Sequence, residues 1–87
     1  VQEPDASSVE VLLFGPAARA AGTASARVRV PDPATVRGVL QALAAQRPEI
    51  AFALPGARLA VNHAFAQADA AVRPGDEVAL IAMVSGG

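Results

Sequence analysis

Only one stretch of this 87-residue chain carries an apolar stripe with full helical spacing, and that limits the folds open to it. Val36, Val39, Leu40 and Leu43 recur at i, i+3, i+4 and i+7, so they share one side of a helix. Thr35 stands where a side-chain oxygen caps the first turn. Pro48 closes the other end, because the residue before a proline is pushed out of the helical region. The spacing predicts a helix over residues 36–47, with Arg37 and Gln41 off the stripe. Gly38 costs about 1 kcal/mol there relative to Ala, a cost that close approach of helix to sheet would explain. A single apolar helix face needs a cover, and the rest of the chain offers strands.

Residues 9–14 place Val9, Val11 and Leu13 against Glu10 and Leu12, a strand buried more on one face than the other. Gly15-Pro16 ends it. The Ala-rich residues 17–22 read as one helical turn capped by Gly22. Residues 24–30 alternate cleanly, with Ala26, Val28 and Val30 opposite Ser25, Arg27 and Arg29. After the helix, residues 49–56 read as a connector with Ile50, Phe52 and Leu54 as core plugs. A short strand follows over 59–62, then a turn and a brief extended piece carrying Phe65. Residues 77–82 form the last strand, Val78 and Leu80 on one face and Ala79 and Ile81 on the other.

Two strands, one helix and two or three further strands predict an α+β domain of the β-grasp (ubiquitin-like) kind. A mixed sheet packs on one main helix. The first and last strands, the most apolar, lie parallel in its middle. A split βαβ fold would need a second full-length helix, and no later segment has the pattern. The expected organisation is a flexible leader over residues 1–8, the domain over 9–82 and a tail over 83–87.

Composition excludes much chemistry. Cys is absent, which removes disulfides, thiolate metal sites and cysteine nucleophiles. All seven basic residues are Arg and eight residues are acidic, so a net charge of −1 gives no basic excess for nucleic acid or an anionic membrane. His63 is the one imidazole and reads as a surface turn residue. Gly15 and Gly22 lack the spacing of a nucleotide loop, so no cofactor is expected on this chain and ATP would be handled in trans. No apolar run reaches the roughly 18 residues of a membrane helix. The first eight residues do not read as a secretory signal, and a cytoplasmic location is the expectation.

The informative feature is the end, Met83-Val84-Ser85-Gly86-Gly87. Two glycines remove side-chain bulk beside the terminal carboxylate, so such a tail can thread a narrow channel in another protein. An unhindered carboxylate can be activated as an acyl phosphate or adenylate and then taken by a nucleophile, sulfide included. Gly86 and Gly87 are therefore the candidate reactive residues. Met83, Val84 and Ser85 are candidate partner contacts. Asp76 reads as a turn residue after Pro74-Gly75, and with Glu77 it could add an acidic rim to a docking surface. Phe65 reads either as a core filler or as an exposed docking anchor beside the tail.

Gly75-Asp76-Glu77-Val78-Ala79-Leu80-Ile81 followed by Val84-Ser85-Gly86-Gly87 resembles the small subunit of molybdopterin synthase, a family of ubiquitin-like sulfur carriers. Val61-Asn62, Val11-Leu12-Leu13-Phe14 with Arg19 and Gly22, and the helix start at Thr35-Val36 support the likeness. Ala82-Met83 stands where that family often has two prolines. The resemblance implies that the Gly87 carboxylate is adenylated by a ubiquitin-activating-like adenylyltransferase using ATP and becomes a thiocarboxylate. It implies a heterotetramer with the large synthase subunit, whose pocket does the catalysis while this chain donates sulfur for the dithiolene of molybdopterin. A thiamine-pathway sulfur carrier and a non-catalytic ubiquitin-like binding module are the alternatives.

Overall fold

The computed structural model describes residues 6–82. The elements are β1 (Ala6–Leu12), α1 (Gly15–Ala21), β2 (Ser25–Pro31), α2 (Val36–Gln46), a 3-10 helix (Pro48–Ala53), β3 (Arg58–Val61), β4 (Ala64–Phe65) and β5 (Val78–Ile81). The sheet order is β2-β1-β5-β3-β4. β1 and β5 are parallel neighbours at its centre, and the other pairings are antiparallel. This is the expected β-grasp: a mixed sheet on one main helix, its most apolar strands innermost.

The alternation in the strands builds the core directly. Val9 and Val11 of β1 pair with Val28 and Ala26 of β2, and all four are buried. Leu59, Val78 and Leu80 add the β3 and β5 share. Val36, Val39, Ala42 and Leu43 of α2 cover that face. Burying such a Val or Leu side chain stabilises by about 1.5–3 kcal/mol. Gly38 lies at the closest approach: a Cβ there would stand 3.1 Å from Val30 Cγ1. Both helix ends are tied to neighbours. The Thr35 hydroxyl accepts from Gly38 N–H at 3.1 Å, while Val36 and Arg37 N–H donate to Ala70 and Ala68 carbonyls. At the other end, the Gln46 amide accepts from Arg29 N–H at 2.9 Å and donates to Arg29 C=O at 2.7 Å.

Three local expectations change. β1 starts at Ala6 rather than at residue 9, because Ser7 and Ser8 continue the ladder opposite Val30 and Arg29. The Ala-rich segment makes a seven-residue helix from Gly15, with Pro16 in its first turn, where a missing N–H costs nothing, and Gly22 (φ 72°) as its left-handed cap. Phe52 is not a core plug. Ile50, Phe52 and Leu54 have strand spacing, but the segment is a 3-10 helix with about three residues per turn. Ile50 turns inward and is fully buried, Ala53 follows it on the same side, and Phe52 is left 61% exposed.

Candidate functional site

The site is the place where the sheet releases the chain's C-terminal residues. Val11 pairs with Val78 and Leu12 with Ala79 in parallel, so β5 finishes beside the end of β1, where Leu13 and Phe14 lead into α1. On its other side β3 runs antiparallel and begins there, with Arg58 opposite Ile81. Burial anchors this root: Val78 and Leu80 are 1% and 2% exposed. The chain therefore leaves from the middle of the sheet, flanked by Phe14 and Arg58. Met83, Val84, Ser85, Gly86 and Gly87 lie outside the described residues.

The face turned away from α2 is open. Side chains alternate across a strand, so Ala79 and Ile81 share this face with Leu12 and Ala60. Ala60 pairs with Phe65, which puts the Phe65 ring on the same face and on the edge strand β4. Phe65 is 54% exposed, so of its two sequence readings the core filler is the one corrected. The Arg58 guanidinium carbon lies 4.6 Å from the centre of its ring, within cation–π range. Arg58, Ile81 and Phe65 thus form a cationic and apolar group at the tail root. Toward β2 the face turns polar: Glu10 accepts from the Ser25 hydroxyl at 2.8 Å and stands 3.8 Å from Arg27.

Glu77 and Asp76 sit at the opposite end of β5, four and five residues before Ile81 and so about 13 and 17 Å from it at about 3.3 Å per residue. Here Asn62 and His63 make a turn with positive φ, 53° and 72°. The Asn62 side chain donates to Asp76 Oδ1 and accepts from Glu77 N–H, both at 3.0 Å, while its own N–H donates to Glu77 C=O at 2.7 Å. Asp76 Oδ2 accepts from Arg73 N–H at 2.8 Å. That backbone bond first, and the Asn62 amide second, hold the Asp76 carboxyl below its ordinary range. Glu77 contacts His63 Nε2 at 2.8 Å. Asp76 therefore braces the turn that starts β5, while the Glu77 carboxylate is solvent-facing.

Two residues at the root escape sequence reading. Phe14 is 55% exposed, and its position was predictable as the outward step after buried Leu13. Nothing in the sequence near Arg58 marks it, because its place follows only from the β3–β5 register. Among the described residues no group of three His, Asp or Glu side chains could hold a metal ion, and no helix is long and apolar enough to cross a membrane.

A β-grasp sheet with its last strand at the centre defines a ubiquitin-like protein. The sequence pattern of the ThiS family matches residues 11–87, and the chain belongs to that family. No curated protein matches it. Among solved structures, SAMP1 (small archaeal modifier protein 1) from Haloferax volcanii is 32% identical, with a TM-score of 0.76 over 93% of this chain and 100% of that one. The Haloferax volcanii protein HVO 2177 is 26% identical, with a TM-score of 0.78 over 100% of this chain and 92% of that one. The complex of subunits 1 and 2 of molybdopterin-converting factor from Helicobacter pylori contains a chain 20% identical, with a TM-score of 0.62 over 93% of this chain and 100% of that one. At that identity the likeness is one of fold.

Proposed function

We propose that this chain is an acyl carrier activated in trans at the Gly87 carboxylate. A partner adenylyltransferase lets a carboxylate oxygen attack the α-phosphorus of ATP, and pyrophosphate leaves. A sulfide-type nucleophile then displaces AMP, leaving a thiocarboxylate. The observation that carries this reading is that the family match runs through residue 87, so it includes the terminal Gly86-Gly87 pair. The destination best supported is that of a ubiquitin-like modifier, since the likeness to SAMP1 combines 32% identity with full coverage of that chain. Sulfur donation to molybdopterin, in a complex with a large synthase subunit, is the second reading. It is favoured by Gly75-Asp76-Glu77-Val78 and the Val84-Ser85-Gly86-Gly87 end. In both, Phe65, Met83, Val84 and Ser85 face the partner, with Asp76 and Glu77 on the far rim.

Intact-protein mass spectrometry of chain isolated from its host tests the shared step. A fraction with one oxygen replaced by sulfur is expected, and one residue added after Gly87 abolishes it without unfolding the domain. Absence of that species under all growth conditions overturns the carrier reading in favour of a plain binding module. Mixing the charged chain with a large synthase subunit and its pterin substrate, against mixing it with host proteins, separates the destinations. Dithiolene formation supports the second reading, and conjugates carrying the chain support the first.

A further inference from the structure

An edge strand offers its outward N–H and C=O groups to any extended chain that can pair with it. The edges of the described sheet are β2, with seven residues, and β4, with two. β4 is too short to template much pairing, whereas β2 is long enough. Leu13 N–H donates to Ala24 C=O, so in this antiparallel ladder Ala26, Val28 and Val30 turn their backbone groups toward β1. Ser25, Arg27, Arg29 and Pro31 turn theirs outward. That outward row is occupied from within the chain. The Arg29 N–H donates to Gln46 Oε1 at 2.9 Å, and the Arg29 C=O accepts from Gln46 Nε2 at 2.7 Å. Arg47 Nη2 donates to the Arg27 C=O at 3.3 Å. The Ser25 N–H donates to Thr23 Oγ1 at 3.4 Å, and Pro31 has no N–H to offer.

We infer that Gln46 is an edge latch: with Arg47, it closes β2 to strand addition by another chain. A carboxamide carries an acceptor and donors much as a peptide unit does, so Gln46 meets Arg29 as a residue of a sixth strand would. Its position is built into the helix. Gln46 is the last residue of α2, whose final turn is anchored by the fully buried Leu43 and closed by Arg47 N–H donating to Leu43 C=O. An arriving segment has to displace the Gln46 amide from both groups of Arg29 before it can make its own bonds there. It exchanges hydrogen bonds and gains little. Partners that bind by adding a strand are thereby turned away from the longer edge. A second copy of the chain is the first of them, since it carries the same edge at the same concentration. The latch is independent of any chemistry at the C-terminus.

The test compares the full wild-type chain with a double variant, Gln46→Ala with Arg47→Ala, and with Gln41→Ala, an exposed glutamine earlier on the same helix. Amide hydrogen exchange on dilute protein reads the latch. In the double variant the Arg29 amide should exchange about two- to tenfold faster, the share of one net hydrogen bond, while Val28, turned toward β1, keeps its protection. Sedimentation velocity over a concentration series reads the consequence, in high salt to screen the arginines of facing edges. Wild type and Q41A should stay monomeric. The double variant should dimerise at concentrations at least about tenfold below any at which wild type associates, as the freed groups of Arg27 and Arg29 pair across copies. The Arg27 and Arg29 amides should then regain protection as concentration rises. Unchanged Arg29 exchange in the double variant overturns the latch. So does a double variant that loses this protection yet stays as monomeric as wild type, one that associates without protecting Arg27 and Arg29, or a Q41A that behaves the same way. Should the double variant lose its Val28 protection as well, Gln46→Ala alone, which keeps Arg47, carries the same comparison.

Discussion

Asn62 is the test of what pins the tail root. It joins the β3–β4 turn to the start of β5 and sits at φ 53°. Asn62→Ala removes two side-chain hydrogen bonds, to Asp76 Oδ1 and from Glu77 N–H. Each is worth about 0.5–1.5 kcal/mol net, and these are solvent-exposed, so the low end applies and the pair contributes about 1 kcal/mol. An alanine forced into left-handed backbone costs a further 1–2 kcal/mol or so. The expected loss is about 2–3 kcal/mol, a large share of the roughly 4–13 kcal/mol available to a chain of this length.

Asn62→Gly separates the two contributions. It loses the same hydrogen bonds but adopts positive φ freely, so it should be about 1 kcal/mol more stable than Asn62→Ala. Asn62→Asp keeps an acceptor for Glu77 N–H but sets a carboxylate 3.0 Å from Asp76 Oδ1. That like-charge repulsion should lower stability at neutral pH, and it should disappear in acid once either carboxyl is protonated. Urea unfolding at constant m-value reads all three differences. Equal stability of the Gly and Ala variants would refute the backbone contribution. An unchanged Asn62→Ala would show that the brace between β3 and β5 carries no energy.

Two further outcomes follow from single contacts. The folded-state pKa of Asp76 is depressed, so its stabilisation is present above the ordinary carboxylate pKa of about 3.8 and is lost as pH falls through the lower folded value. Asp76→Asn should therefore flatten the acid limb of a plot of urea midpoint against pH, and an unchanged limb would show that Asp76 does not contribute. Gly38→Ala gains about 1 kcal/mol of helix propensity. However, its Cβ would press on Val30 Cγ1 at 3.1 Å, with Val30 only 1% exposed and unable to give way. Overpacking costs about 1–3 kcal/mol, so thermal unfolding should show a net loss in the native background and a gain when Val30→Ala is also present.

The fold was readable where the two sides of an element differ in chemistry. α2 announces its buried side through Val36, Val39 and Leu43, and β2 alternates arginine with valine, so each could be oriented before any neighbour was known. Orientation failed where it depends on backbone type or on a pairing partner. Ile50, Phe52 and Leu54 are apolar at every second position, and only the 3-10 geometry decides that Phe52 faces water. Phe65 stands in a two-residue strand, too short to show a pattern, and its face is set by its pairing with Ala60. The β1 ladder reaches back through two serines because β2 is long enough to pair with them, a cause that lies in the partner strand. The same division runs through the candidate site. Gly86 and Gly87 could be picked out because their chemistry is that of missing side chains beside a carboxylate. The place of Arg58 depends on a register between two strands separated by a long loop, and that register alone sets its guanidinium across from Ile81 at the end of β5.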